Sequence, residues 1–484
     1  MSFLSAPFVL FLGVALAAFE LSPARYRPVV LLAASYAFYA SNSPSNALLL
    51  LAVTLAVHQV ALAIERRRTE GGKLRLVGAA VAALTLLLAG FKLASALWPW
   101  VGASPVRASE GVALRVLVPL GLSYYIFKLI GYLLDVYWEK FPAERSVVAL
   151  ALYASFFPQI VTGPIERAGT FFDQLGRIAE RHPASVEAGA RRILFGLFKK
   201  IAVADRIAVV VDSVHAKPGV YSSLELLLGA YLFALQLYAD FSGVTDMAIG
   251  LGQLFGIKGP ENFDLPFFSR NLQEYWRRWH MSLTSWLADY LFTPLRMALR
   301  DLGSLGLALA ILVNMIAIGV WHGMAWTYAA FGLLHGIFMV VSVFTLKKRD
   351  AFFKGHPVLS RVRGIAAPVV TFQLVVLALV FFRADSLGYA LEYLAHLVHA
   401  AGAAGIPVTR LDFRLLNLKP GLLLAVLVLA AIMELVNWAI RRPNWSRAFL
   451  AVPRLLRWAL YYGIIFLILA NGSSGQQKFI YAQF

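Results

Sequence analysis

Ile311-Leu312-Val313-Asn314-Met315-Ile316-Ala317-Ile318-Gly319-Val320-Trp321-His322 is too apolar to face water, yet it ends in an imidazole. The run reaches back to residue 305, close to the roughly 20 apolar residues that cross a bilayer as a helix. A histidine at that depth is costly unless it is hydrogen-bonded or lines a polar cavity, so His322 is a functional-site candidate. The plainer alternative is a core histidine satisfied by its neighbours. Asn314 lies eight residues earlier, about two helical turns, and so on a similar face, where it can orient a group in the same cavity. His335, in the next apolar run, reads as a structural partner.

The rest of the chain repeats this pattern. Apolar runs fall near 6–20, 28–43, 46–64, 76–98, 114–137, 221–240, 305–322, 326–346, 366–382, 420–440 and 455–470. Shorter or interrupted runs near 147–162, 193–211 and 243–257 read as short spans, re-entrant helices or interfacial helices, because broken backbone is tolerated where protein buries it. Of the 484 residues, 60% are hydrophobic and only 14% are charged. Soluble domains average about 45–50% apolar and about 25% charged. These features predict an all-α polytopic membrane protein of about 11 spans. It reads as a single membrane domain over 1–484, with no internal repeat or linker.

The net charge of +18 sits in short clusters between apolar runs, such as Glu65-Arg66-Arg67-Arg68, Lys347-Lys348-Arg349 and Arg441-Arg442. That is the distribution of cytoplasmic loops in a membrane protein, and it argues against nucleic-acid binding. Residues 1–19 lack a basic n-region, and Arg25 and Arg27 follow the first apolar run, which predicts a retained span with its N-terminus outside. There is no cysteine, so disulfides, thiolate metal sites and a cysteine nucleophile are excluded.

Residues 262–300 are the densest in polar and aromatic side chains. After turn signals at Pro260 and Pro266, a helical pattern begins at Asn271, with Tyr275, Trp276, Trp279, Leu283, Trp286 and Leu287 at spacings of three and four. This predicts an amphipathic, aromatic-rich helix at a membrane interface. Its tryptophans and arginines serve either as interfacial anchors or as a site in which Arg277 and Arg278 meet an anionic acyl donor. Asp240 and Asp246 lie six residues apart and read as helix caps or as a proton relay. The scattered histidines, without HExxH spacing, argue against a metal site. The absence of GxSxG argues against a serine hydrolase of the elbow type.

Five stretches in order resemble the membrane-bound O-acyltransferase family, in its bacterial polysaccharide-acetylating branch. They are Phe157-Pro158-Gln159-Ile160-Val161-Thr162-Gly163-Pro164-Ile165, Asp240-Phe241-Ser242-Gly243-Val244-Thr245-Asp246-Met247-Ala248-Ile249-Gly250, Pro260-Glu261-Asn262-Phe263, Glu274-Tyr275-Trp276-Arg277-Arg278-Trp279-His280-Met281-Ser282-Leu283 and Trp321-His322-Gly323. The similarity spans about 115–340. The resemblance implies a ring-like helical bundle, thin at the centre, with a passage from a cytosolic donor to an acceptor on the far face. It implies that His322 is catalytic and that His280 is also functionally important. Trp276, Arg277, Arg278, Asn314 and Trp321 are then expected on the substrate and donor side.

The resemblance further implies that an acyl group, acetyl from acetyl-CoA, crosses the bacterial cytoplasmic (inner) membrane to modify an exported polysaccharide, as in alginate biosynthesis. No permanently bound cofactor is expected. The tail 471–484 ends Phe479-Ile480-Tyr481-Ala482-Gln483-Phe484 and is similar to an aromatic motif of this branch. There Tyr481 would carry the acyl group to an extracytoplasmic SGNH-type transferase, alongside polysaccharide synthesis or export machinery. A membrane-interface anchor is the other reading of this tail. D-alanyl transfer to teichoic acid is the alternative within the family. A transporter or lipid flippase is the alternative of another class, in which intramembrane polar residues line a pathway.

Overall fold

The computed structural model describes residues 1–101, 119–180, 183–402, 420–442 and 444–471. These are helical almost throughout, and among them the only β pairing is an isolated antiparallel bridge between Phe263 and Trp279. The expected all-α polytopic architecture is therefore present, because a helix satisfies its own backbone where no water can. Among the described residues, seven helices are long and apolar enough to cross a membrane. They are Pro44–Arg66, Glu70–Leu97, Ser223–Leu254, Arg300–His322, Trp326–Lys354, Pro357–Arg383 and Leu423–Ile440.

The count of about 11 from sequence also took in shorter runs. Arg27–Ala40, Leu122–Tyr137 and Arg454–Asn471 have 14, 16 and 18 residues, or about 21–27 Å of helix against about 30 Å of hydrocarbon. Ala6–Leu21 and Val147–Ile160 are likewise apolar but short.

The chain falls into two compact units, Met1–Ile193 with Thr245–Glu261, and Leu194–Val244 with Asn262–Phe484. In the first, the interrupted run near 147–162 is a broken helix, Val147–Ser155 followed by Phe157–Ile160. Pro158 lies in the first turn of the second piece, where its missing N–H leaves nothing unpaired. The next residue, Gln159, is buried and donates from Nε2 to Glu166 Oε2 at 2.5 Å, while Gln174 Nε2 donates to Glu166 Oε1 at 2.9 Å. Both oxygens of this buried carboxylate are thus satisfied, as burial of charge requires. Asp246 in the same unit is ion-paired with Arg192 at 2.9 Å, and Arg192 also reaches Glu261 at 2.5 Å.

In the second unit, the run near 193–211 becomes a π-helical segment, Phe198–Ala204, followed by the helix Asp205–Ala216. Lys200 is buried on that segment and pairs with Asp240 at 2.6 Å and Asp205 at 2.9 Å. The two runs read separately at 221–240 and 243–257 form one helix, Ser223–Leu254. Gly243 does not break it, because a Cβ there would lie 2.8 Å from the carbonyl oxygen of Gly196. Close packing outweighs the low helix propensity of glycine. The capping reading of Asp240 and Asp246 is corrected: both lie inside the helix and are ion-paired.

The run quoted first forms the helix Gly303–His322, packed along Trp326–Lys354. Leu305, Leu309, Val313, Leu333, Ile337 and Val341 lie exposed along this pair. An apolar face of that extent marks a membrane contact.

Candidate active site

The segment that carries His280 is built by the turn that precedes it. Asn271 caps the helix Leu272–Arg278 by accepting from Glu274 N at 2.9 Å. Residues 262–264 then lie beside 278–281: Asp264 N donates to Arg278 O, and Met281 N to Asn262 O, each at 2.9 Å. This strip ends the helix. Trp279 is extended and His280 is left-handed, with φ 45° and ψ 51°, before a new helix starts at Met281–Leu287. The continuous helix expected from the aromatic spacing is therefore broken at its centre. Local periodicity could not reveal the competing backbone partners at 262–264. Histidine tolerates the left-handed region better than most residues, though the conformation still costs about 1–3 kcal/mol. Tyr275, Trp276, Trp279 and Trp286 are buried in protein, which corrects the reading of this face as an interfacial anchor.

His280 is 1% exposed. Its Nδ1 lies 3.4 Å from Asn262 Oδ1, and Asn262 Oδ1 accepts from Ser282 N at 3.2 Å. Phe241 meets the imidazole edge-on, with centroids 4.6 Å apart at 89°. The residue before it is Asp240, held by Lys200, so that ion pair anchors the turn that presents Phe241. Trp321 lies 5.8 Å from the His280 ring. Burial pulls the imidazole down to about 3, so it is neutral at physiological pH.

His322 closes its helix and is also buried. Trp321 stands 4.9 Å from it at 77°, and Phe382 5.0 Å from it at 78°. Phe331 and Tyr328 complete an aromatic wall, with centroids at 6.3 and 6.5 Å. Gly323 is required for that wall: a Cβ there would fall 2.5 Å from Tyr328 Cε2. The two histidines and Trp321 thus converge although they lie some forty residues apart in sequence.

The other expected residues are distributed differently. Trp276 meets His335, with centroids 5.1 Å apart, and Tyr275 stacks on His335 at 6.2 Å and 5°. His335 is fully buried and neither ring nitrogen has a hydrogen-bond partner among the described residues, nor does Trp276 Nε1. Arg277 is exposed, and Arg278 is ion-paired with Glu274 at 2.6 Å. Asn314 is half-buried, with Oδ1 unbonded among the described residues. Tyr481 lies outside the described residues.

Sequence reasoning did not single out Asn262, Phe241, Phe331, Tyr328 or Phe382 as site residues. Asn262 and Phe241 stood inside recognised motifs, but nothing in their local pattern points to His280. Among the described residues no three metal-ligating side chains cluster.

A profile of the membrane-bound O-acyltransferase family matches residues 139–359, which include both histidines. A probable alginate O-acetylase of Azotobacter vinelandii is 34% identical over 393 residues, 79% of this chain and 74% of that protein. A peptidoglycan O-acetyltransferase of Helicobacter pylori is 33% identical over 60% of this chain and 59% of its own length. A teichoic acid D-alanyltransferase of Bacillus subtilis is 31% identical over 53% of this chain and 66% of its own length. On this similarity, which takes in the segments of both buried histidines, the chain belongs to the membrane-bound O-acyltransferase family, in the branch of the alginate O-acetylases.

Proposed function

We propose that this protein passes an acetyl group from a cytosolic donor such as acetyl-CoA across the bacterial inner membrane for O-acetylation of an exported polysaccharide. The observation that carries this reading is the meeting of His280 and His322 at one buried indole, Trp321. The similarity to named O-acetylases over most of the chain supports the acyl chemistry. His322 is the general base. An acceptor hydroxyl gives its proton to the imidazole as its oxygen attacks the thioester carbonyl carbon. The C–O bond forms, the C–S bond breaks, and the leaving thiolate takes the proton back. The aromatic wall keeps out water that would hydrolyse the thioester.

In this reading Tyr481 is the first acceptor, and its phenyl ester passes the acetyl group to an SGNH-type partner on the far face. Arg277, exposed beside the buried aromatic cluster, is the residue available to the anionic donor; Arg278 is engaged by Glu274. D-alanyl transfer is the second reading, since teichoic acid D-alanyltransferases are also relatives, though over a smaller share of this chain.

Purified protein incubated with radiolabelled acetyl-CoA should become labelled, and Tyr481→Phe should lose that label while remaining folded. His322→Ala should slow transfer by about 10²–10⁴-fold, the usual worth of a positioned base. Undiminished labelling in His322→Ala would sink the mechanism. A protein that accepts D-alanine from a carrier protein but not acetyl from acetyl-CoA would favour the second reading.

A further inference from the structure

The backbone of Ser282 decides which end of the Asn262 side chain faces His280. That amide donates to Asn262 Oδ1 at 3.2 Å, so the oxygen and not the NH2 group lies on this side. An amide oxygen only accepts. His280 Nδ1 sits 3.4 Å from the same oxygen, so a bond between them requires the proton on Nδ1. The contact is at the long end of hydrogen-bond distances. A neutral imidazole protonated on Nδ1 carries its lone pair on Nε2.

Two further features hold the ring in place. Asn262 is fully buried, and its carbonyl accepts from Met281 N at 2.9 Å, so its own backbone is tied to the residue after His280. Phe241 packs edge-on against the imidazole and Trp321 lies against it, which opposes the ring flip that would turn Cδ2 instead of Nδ1 towards Asn262. Phe241 comes from the helix Ser223–Leu254, Trp321 from Gly303–His322 and Asn262 from the strip at 262–264; none of these three side chains carries a charge.

We propose that Asn262 is a positioning residue that fixes His280 in its Nδ1-protonated tautomer and so leaves Nε2 as the nitrogen that meets the reacting groups. The proposal rests on the reading of His280 as part of the acyl-transfer site. Asn262 acts through the imidazole and does not itself touch substrate.

The test has a readout independent of activity. Full-length protein labelled with 15N-histidine and reconstituted in lipid is studied by solid-state NMR, with the His280 signals assigned by their loss in His280→Asn. The wild-type ring should show a protonated Nδ1 and a bare Nε2. Asn262→Leu should admit the other tautomer and slow acetyl transfer by about 10–100-fold, the usual effect of losing a partner that orients an imidazole. Asn262→Asp keeps the acceptor, should preserve the tautomer, and its added charge should move the acid limb of the pH–rate profile to higher pH.

A wild-type ring protonated on Nε2 would overturn the assignment. So would Asn262→Asp and Asn262→Leu that match each other in tautomer and in pH–rate limb. If Asn262→Leu does not fold, the wild-type spectrum and the Asn262→Asp profile decide. Full transfer by His280→Asn would remove His280 from the reaction, and with it the role of Asn262, whatever the tautomer. A wrong tautomer alongside an inactive His280→Asn removes Asn262 alone.

Discussion

His280 combines a left-handed backbone with a fully buried ring, and both have measurable consequences. In the folded protein its pKa is pulled down to about 3 by burial, whereas in the unfolded chain it is near 6.5. A depressed base makes the unfolded chain bind the proton first. The stabilisation is therefore fully present above about pH 6.5 and is lost as pH falls towards 3, at about 1.4 kcal/mol per pH unit. Asparagine also accepts the left-handed conformation but does not titrate. The thermal midpoint in detergent should fall between pH 7 and pH 5 more steeply for wild type than for His280→Asn, and parallel curves would count against this origin. At this scale the sequence singled out His322 by chemistry, since an imidazole ending a long apolar run stands out, whereas His280 was marked only by the motif it shares with the family. Asn262 did not stand out, because an asparagine next to a proline turn has many ordinary uses.

Pairs of elements depend on glycines that only packing explains. In the hairpin Gly303–His322 and Trp326–Lys354, a Cβ on Gly319 would collide with the Tyr328 carbonyl oxygen, and one on Gly332 would lie 2.5 Å from Met315 O. These are backbone contacts, so no rotamer change relieves them and the helices must part. Gly319→Ala should cost about 1–3 kcal/mol by overpacking, and should also disturb the His322 wall through Tyr328. Gly364 has nothing within 4 Å of its Cβ position, so Gly364→Ala should be neutral or gain about 0.5–1 kcal/mol in helix stability. Equal thermal midpoints for the two variants would contradict this account. The sequence placed both helices of the hairpin correctly because each is a long apolar run. It missed the break at Trp279–His280, because strip 262–264 competes for the backbone there and periodicity carries no trace of a remote partner.

Within the second unit, the two long helices of this hairpin impose a strict alternation of sides. The loop near Arg300 and the basic cluster at 347–349 must share one face of the membrane, with 323–325 on the other, and the positive-inside rule makes the shared face cytosolic. Because the chain has no cysteine, single substitutions report topology directly. Arg300→Cys and Lys348→Cys should react with an impermeant maleimide only from the cytosolic side, and Met324→Cys only from the opposite side. Reaction of Met324→Cys from the cytosol would invert the assignment.

The sequence by itself determined the solvent: sustained apolar runs with few charges commit the chain to helices in a bilayer, whatever its neighbours. It also marked His280, His322 and Trp321 through motif order. Tertiary structure alone decided that Trp321 lies against His280 as well as His322, and that Asp240, through Lys200, backs the turn presenting Phe241. The physical reason is range. Transfer into lipid depends on each residue summed along a window. Contacts between residues 40 or more apart depend on how whole helices pack, and no local window contains both partners.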